Sequence, residues 1–412
     1  FNTFGGNPVS TAIANEVLQE VKREKEIKFP LAMETIDNDD IDALCNWLRE
    51  YPRLTKGDLT LQFEQEWADY IGTKYSVFCN SGSSANLLMI YTAYASGKMK
   101  NNKIAVPSVG WVTTIAPAMQ FGLEPIMIGA DKETFGMDLD QLESLCEKDA
   151  PGAVIFVQVL GVPHYKERML ELQEKYGFIL LEDSCAALGA EYSDGTMVGK
   201  LGDMSSFSFY FGHQLSSIEG GMINTDNKEM YDLMMMFRSH GWGKDLDQKT
   251  YDGLIEKHNI DDFHKPFTFF VPGFNLRSTD LQAFIGLRQM KKAKWVAQRR
   301  YENHVRYAEN LKGYVKFQNW RDHKPVSISF GALASSKEHR QEIINRLVEN
   351  KIETRVFSAG NLGVHPFWAE KYGRFEDDMS DNIHSCGFFV PNYPEMTNED
   401  IDFICSVIRG EV

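Results

Sequence analysis

The residue best suited to move a proton in this chain is His213, in the stretch Ser205 to Asp226, SSFSFYFGHQLSSIEGGMINTD. Apolar and small polar residues alternate over Ser206 to Tyr210, the period of a half-buried strand, and Gly212 frees the backbone to turn. Glu219-Gly220-Gly221 then leads into a second short strand, Met222 to Thr225. His213 is therefore expected at a strand end, on a hairpin-like platform rigid enough to hold a base in place. A lone loop histidine is more often a hydrogen-bonded structural residue. Its role depends on what the rest of the chain places beside it.

Other positions carry matching chemistry, each with a plainer reading beside it. The turn Ser81-Gly82-Ser83-Ser84 opens a helix, where free N–H groups and the helix dipole suit a phosphate. Many such turns carry Gly and Ser only for the turn and the cap. Asp183 ends an apolar strand, and a carboxylate there needs a partner to offset desolvation; capping a helix or a turn would also satisfy it. Trp111, just past a strand, offers either a stacking face or core packing. Arg355 and His240 are candidates for sugar or diphosphate contacts, with structural roles equally open.

The elements that must position these groups alternate between strand and helix. Tyr75 to Cys79 leads through the serine turn into a helix over Ala85 to Ala95. Ile104 to Val106 precedes a helix over Val112 to Phe121, Pro125 to Ile128 one over Leu139 to Glu147, and Val154 to Val159 one over Tyr165 to Tyr176. Phe178 to Leu181 ends in Glu182-Asp183. Such repetition with nearly uniform apolar strands predicts an α/β fold, a mainly parallel central sheet covered by helices on both faces. Ligands of such sheets bind beyond the strand carboxyl ends, where Ser81 to Ser84, Trp111, Asp183 and His213 all fall.

Ahead of the sheet, amphipathic helices are expected over Ala12 to Lys25, Asp39 to Glu50 and Thr60 to Tyr70. Past Gly273 a helix over Thr279 to Ala293 runs into a long polar one, Trp295 to Leu311. Strands over Val326 to Leu333 and Ile352 to Phe357 and helices over Lys337 to Asn350 and Asn398 to Ile408 complete a smaller α/β layer. The expected organisation is an N-terminal arm over 1–29, a large domain over 30–287 and a small C-terminal domain over 288–412. The basic cluster Lys291, Lys292, Lys294, Arg299 and Arg300 could steer a nucleotide diphosphate, a solvated helix face being the alternative.

Composition narrows the class. Asp and Glu number 58 against 43 Lys and Arg, a net charge of −15, which argues against nucleic acid as a partner. The six cysteines (Cys45, Cys79, Cys146, Cys185, Cys386, Cys405) are scattered, with no Cys-x-x-Cys pair, as expected of reduced thiols; no metal site is expected. There is no apolar stretch near 20 residues and no basic-then-apolar leader, so a soluble, cytoplasmic chain with no membrane contact is expected. The first residue is Phe1, which leaves residues upstream of it open.

The frame Ser208-x-x-x-x-His213 followed by Glu219-Gly220-Gly221 resembles the cofactor-lysine segment of the DegT/DnrJ/EryC1/StrS family of sugar-nucleotide aminotransferases, with His213 at the lysine position. The segments Ser81 to Leu88, Pro107 to Trp111, Leu180 to Gly189, Ser205 to Asp226, Arg238 to Gly243 and Phe270 to Arg277 are similar, in order and spacing, to its 4-keto-6-deoxy-sugar 3-dehydratase branch. The resemblance implies the aspartate-aminotransferase-like fold, fold type I, of pyridoxal phosphate enzymes. It places Gly82, Ser83 and Ser208 on the cofactor phosphate, Asn275 on the phosphate of a neighbouring subunit in a homodimer, Trp111 on the pyridine ring and Asp183 on its protonated nitrogen.

Replacing lysine by His213 has a physical consequence. Imidazole cannot bond to the cofactor aldehyde as an amine does, so the cofactor is held noncovalently and the pyridoxamine 5′-phosphate form becomes the working state. His213 is then placed as the base, and with no lysine to complete amino transfer, a 4-keto-6-deoxy nucleotide sugar loses its C3 hydroxyl and ammonia is released. L-Glutamate is implied as the donor that restores the amine, in deoxysugar synthesis for surface polysaccharide. One position departs from the family: Ala186 stands where Gln, His or an acid is usual. The alternatives are an aminotransferase-like enzyme of other specificity, an iron–sulfur-coupled dehydrase, for which only Cys386 and Cys405 follow Asp226, and a catalytically silent protein that binds nucleotide sugars.

Overall fold

Seven five-residue runs build the large sheet: β1 (Tyr75–Cys79), β2 (Lys103–Pro107), β3 (Glu124–Ile128), β4 (Ala153–Val157), β5 (Ile179–Asp183), β6 (Met204–Ser208) and β7 (Gly221–Thr225). The protein is represented by a computed structural model that describes residues 27–412, so the helix expected over Ala12 to Lys25 lies outside the described residues. The strand order is β1-β7-β6-β5-β4-β2-β3. Pairing is parallel from β3 through β6, and β7 runs antiparallel between β6 and β1. Around the sheet lie α1 (Asn38–Leu48), α2 (Asp58–Ile71), α3 (Gly82–Ala95), α4 (Ala116–Gln120), α5 (Leu139–Asp149), α6 (Lys166–Tyr176), α7 (Lys228–Arg238), α8 (Gln248–Lys257) and α9 (Asp280–Met290). After α10 (Ala293–Leu311), a smaller antiparallel sheet follows in the order β10-β11-β9-β8: β8 (Lys316–Phe317), β9 (Ser329–Leu333), β10 (Arg355–Val356) and β11 (Gly387–Pro391). Its helices are α11 (Lys337–Glu349), α12 (Pro366–Tyr372), α13 (Asp378–Cys386) and α14 (Asn398–Arg409).

Several boundaries differ from the sequence reading, each for a physical reason. The strand before His213 is β6, ending at Ser208 rather than Tyr210, and all five of its residues are buried because helices cover both faces. The alternation over Ser206 to Tyr210 belongs partly to chain that has left the sheet, and Tyr210 and Phe211 are exposed. The helix expected over Val112 to Phe121 divides into a 3₁₀ turn, Val112–Thr114, and α4, which restarts with Pro117 in its first turn. The helix expected to run from Thr279 on breaks at Lys291–Lys292, where the Lys292 N–H turns back to Gln289 O at 2.8 Å. Of the strand expected over Ile352 to Phe357 only β10 forms, and β11, a central strand of the small sheet, had not been expected.

Packing holds the strand that leads to His213. Phe63 and Trp67 of α2, Phe78 of β1, Phe207 of β6 and Phe209 are fully buried in one cluster, with the Trp67 ring edge-on to Phe209 at 4.9 Å and to Phe207 at 5.1 Å. Truncating such a ring typically costs about 3–5 kcal/mol, so β6 and its exit are anchored from below. β1 lies at the sheet edge, where free backbone groups need partners. Phe78 N donates to Glu64 Oε1 at 2.8 Å, and Phe78 O accepts from the Arg238 guanidinium at 2.8 Å. Arg238 and Glu64 are themselves in contact, both buried, so one ion pair closes the edge just before the turn at Ser81.

Candidate active site

Beyond β1 the chain turns over Asn80 and Ser81 and enters α3. Ser81 is the N-cap: its Oγ accepts from Ser84 N at 3.1 Å, and the first intrahelical bond runs from Ala85 N to Ser81 O at 3.0 Å. The N–H groups of Gly82 and Ser83 precede that bond, at the positive end of the helix dipole. Gly82 is required by its neighbours: a Cβ there would lie 2.5 Å from Ser208 Cβ and 2.8 Å from Ser208 Oγ. Gly221, starting β7, is required likewise, because a Cβ would lie 2.1 Å from Ser81 O. The helix start, Ser208 and the Glu219-Gly220-Gly221 return are thus pressed together. Ser83 is exposed, and its Oγ lies 3.4 Å from Thr113 Oγ1, next to the loop that carries Trp111.

Asp183 ends β5 and is 4% exposed. Its Oδ2 accepts from Asn86 Nδ2 at 2.8 Å and Thr114 Oγ1 at 2.6 Å, and its Oδ1 from Cys185 N at 3.1 Å. A carboxylate offers about four acceptor positions, so Oδ1 retains capacity for one more donor. Glu182, one residue earlier, points to the opposite side of the sheet, as strand alternation requires. There its carboxylate takes Gln158 Nε2 at 2.8 Å, Gly199 N at 2.9 Å and Leu201 N at 3.0 Å. Of the two adjacent acids, Glu182 is committed to donors of the fold and Asp183 keeps an acceptor position open.

His213 follows β6 and is half-buried. Its Nδ1 is in hydrogen-bond contact with Cys185 O, and a carbonyl oxygen can only accept, so Nδ1 carries the hydrogen and Nε2 of the neutral ring keeps its lone pair. Burial pushes the His213 pKa below its ordinary value, against the opposing effects of the Cys185 carbonyl and of Asp183. Burial thus favours the neutral ring. Burial also raises the Cys185 thiol well above its usual range, with Asp183 adding to the effect, so that thiol stays protonated and the residue contributes its carbonyl.

Trp111 is 59% exposed at the start of the turn whose Thr114 binds Asp183, which leaves a ring face free to stack. Asn275 is exposed and shares no hydrogen bond with the cup of its own chain; its Oδ1 accepts from Arg277 Nε at 3.1 Å. His240, in a left-handed conformation (φ 62°), lies 3.3 Å from the Arg277 guanidinium, and exposed Arg355 lies 3.3 Å from Glu353. Ala186 supplies no side-chain donor, and its carbonyl accepts from Gln214 Nε2 at 2.5 Å.

The basic cluster is corrected by its partners. Lys292 is spent on Asp37 and Asp40, both at 2.6 Å, and Arg299 on Glu302 and the carbonyl of Met396. Arg300 is 1% exposed and surrounded by backbone carbonyls. Of the five, Lys291 and Lys294 are exposed, too few for a steering patch. The sequence reading also missed Asn86, Thr114 and Ser206, which hold Asp183; Ser206 Oγ donates to Asn86 Oδ1 at 2.5 Å. The signal available was a polar side chain at Asn86 inside the otherwise apolar run of α3.

The residues present fit a phosphorylated pyridine: a helix start with Ser208 and a cradle closed to any Cβ at Gly82, a buried carboxylate with spare acceptor capacity, and an exposed indole. Comparisons agree with this. The GDP-4-keto-6-deoxy-D-mannose 3-dehydratase of Yersinia pseudotuberculosis is 32% identical over 396 residues, covering 93% of this chain and 98% of that one. A crystal structure of GDP-4-keto-6-deoxymannose 3-dehydratase, as a His-to-Asn variant with bound GDP-perosamine, matches with a TM-score of 0.84 at 28% identity over 92% of this chain and 100% of that one. Another, with a trapped PLP-glutamate geminal diamine, matches with a TM-score of 0.83 at 28% identity over the same shares. The model of the DegT/DnrJ/EryC1/StrS aminotransferase family matches residues 34–409, and the chain belongs to that family.

Proposed function

We propose that this protein removes the C3 hydroxyl from a nucleotide-linked 4-keto-6-deoxy sugar, with pyridoxamine phosphate as coenzyme and L-glutamate as the donor that regenerates it. The observation that carries this reading is His213 at the family's lysine position, its Nδ1 committed to Cys185 O and its Nε2 without a partner among the described residues. The relatives named as 3-dehydratases, and their complexes with a GDP-sugar and with glutamate on PLP, support the substrate class and the donor.

When bound, the coenzyme would supply an amine for the sugar C4 ketone and a protonated ring that accepts electrons. The chain's own residues do the rest. The N–H groups of Gly82 and Ser83 and the Ser208 hydroxyl would hold the phosphate, Trp111 would stack on the ring, and Asp183 Oδ1 would accept from the ring nitrogen and keep it protonated. His213 Nε2 would act as the base beside the coenzyme's amine-bearing carbon, and the imidazolium so formed would have a proton to give to the departing C3 oxygen, which leaves as water. Because an imidazole cannot replace a lysine amine, the unsaturated amino sugar would be released and hydrolysed by water, which restores the C4 ketone and frees the nitrogen as ammonia. The exposed Asn275 is the residue offered to the phosphate of a second subunit, and a homodimer belongs to this reading, as does a cytoplasmic location. Among the described residues no helix is long and apolar enough to cross a membrane.

The test is incubation with pyridoxamine phosphate, L-glutamate and GDP- or CDP-linked 4-keto-6-deoxy sugars. Release of ammonia with a 3-deoxy-4-keto sugar nucleotide and no amino sugar is expected. An amino sugar product, or no turnover of any of these substrates, would overturn the assignment.

A further inference from the structure

Two buried residues outside the expected chemistry hold the histidine turn from both sides. Consecutive residues His213 and Gln214 meet consecutive carbonyls of the loop after β5: His213 Nδ1 donates to Cys185 O, and Gln214 Nε2 to Ala186 O at 2.5 Å. The second hydrogen of the same amide goes to Val326 O at 2.7 Å, in the segment leading into β9 of the small sheet. From that side Arg300 of α10 reaches across. Its guanidinium donates to Ser327 O at 3.3 Å, Ile328 O at 3.0 Å and Asn392 O, and to the backbone carbonyl of His213 at 3.3 Å. The first three contacts serve the small sheet alone. The fourth does not: it fixes the backbone of the residue whose ring must be aimed.

We propose that Arg300 and Gln214 are positioning residues that clamp the His213–Gln214 turn between the Cys185–Ala186 loop and the Val326–Ile328 segment, and so keep the His213 ring on its Nδ1–H tautomer with Nε2 unprotonated. A planar fork that donates in several directions is what this task requires, and a lysine ammonium cannot reach His213 O and Asn392 O together. The clamp also ties the base to the small sheet, so that sheet is part of the machinery that aims His213. This rests on the reading of His213 as the base.

The experiment uses the full chain with Arg300→Lys and, separately, Gln214→Met, each first checked for a cooperative thermal transition. Histidine-selective nitrogen-15 spectra are recorded without coenzyme or substrate, with His213→Asn to assign the signal, so the readout stands whether or not the dehydration reading holds. The wild type should show one neutral tautomer, Nδ1–H; the variants should show both in exchange. In turnover, kcat should fall about 10- to 100-fold with KM changed less than about threefold, the signature of a misaimed base. A folded variant that keeps the single tautomer would overturn the clamp whatever its turnover, and mixed tautomers with wild-type kcat would overturn its catalytic role. If Arg300→Lys does not fold, Gln214→Met decides by the same measurements.

Discussion

Asn86 donates from Nδ2 to Asp183 Oδ2 at 2.8 Å, so the helix whose first turn is proposed to receive the phosphate also holds the carboxylate proposed for the ring nitrogen. In that reading one rigid element sets the separation between two recognition points of the coenzyme. The consequence for Asp183→Asn is specific. The substitution is nearly isosteric but removes the charge that pairs with a pyridinium, and hydrogen bonds to charged groups are worth about 1.5–3 kcal/mol. Affinity for pyridoxamine phosphate, read by calorimetry, should fall about 10- to 100-fold; wild-type affinity would contradict the pairing.

His213→Asn tests the base without removing a polar side chain from the turn. Positioned acid–base groups contribute about 10²- to 10⁴-fold, and dehydration should drop by that much while coenzyme affinity changes little. His213→Lys restores the amine of the wider family. It should yield a coenzyme bond that borohydride reduces and mass spectrometry detects on residue 213, with deoxygenation lost. Unchanged dehydration in either variant would remove His213 from the mechanism.

Acid should disable this protein in two ways. Burial lowers the His213 pKa, so the base stays unprotonated to a pH below 6.5, and the acid limb of kcat/KM is expected below that value. Stability follows the same sign. His164 and His304 are buried with pKa values near 4 and near 3, burial being the first cause for each, so the unfolded chain binds more protons than the folded one below pH 6.5. The stability these groups contribute is fully present above pH 6.5 and is lost as pH falls toward the folded pKa values, at about 1.4 kcal/mol per unit for each group. Urea titrations from pH 7 to pH 4.5 should show a falling midpoint, with a smaller fall in His304→Gln. An equal fall in that variant would count against His304 as a contributor.

What the sequence made legible was local. The strand end at Asp183 and the Gly-Ser turn at Ser81 were readable because turn chemistry and apolar runs involve neighbours along the chain, whereas the strand before His213 stops at Ser208, short of the alternation that runs on to Tyr210. Contacts made across long loops were not readable. Asn86 and Thr114 reach Asp183 from 97 and 69 residues away, and Arg300 reaches His213 from 87. The basic run after Met290 looked like a solvated face because its carbonyl and carboxylate partners, such as Asp40 and Asn392, lie far off in sequence. Likewise Gly387–Pro391 is a central strand only because β9 and β10 flank it, which no local pattern declares.

Gly82→Ala tests the phosphate cup proposed at the start of α3. Alanine is a better helix former than glycine, so at an open first-turn position the change would be neutral or slightly stabilising. Here the new Cβ would sit 2.5 Å from Ser208 Cβ and 3.2 Å from Cys185 Sγ, forcing apart α3, the end of β6 and the loop that holds His213. Over-packing of this kind typically costs about 1–3 kcal/mol. The variant should fold with a lowered melting temperature, because the aromatic cluster beneath β6 is untouched, and affinity for inorganic phosphate and pyridoxamine phosphate should fall together by tenfold or more. A fall confined to pyridoxamine phosphate, with phosphate binding intact, would mean that the phosphate lies elsewhere than on the start of α3.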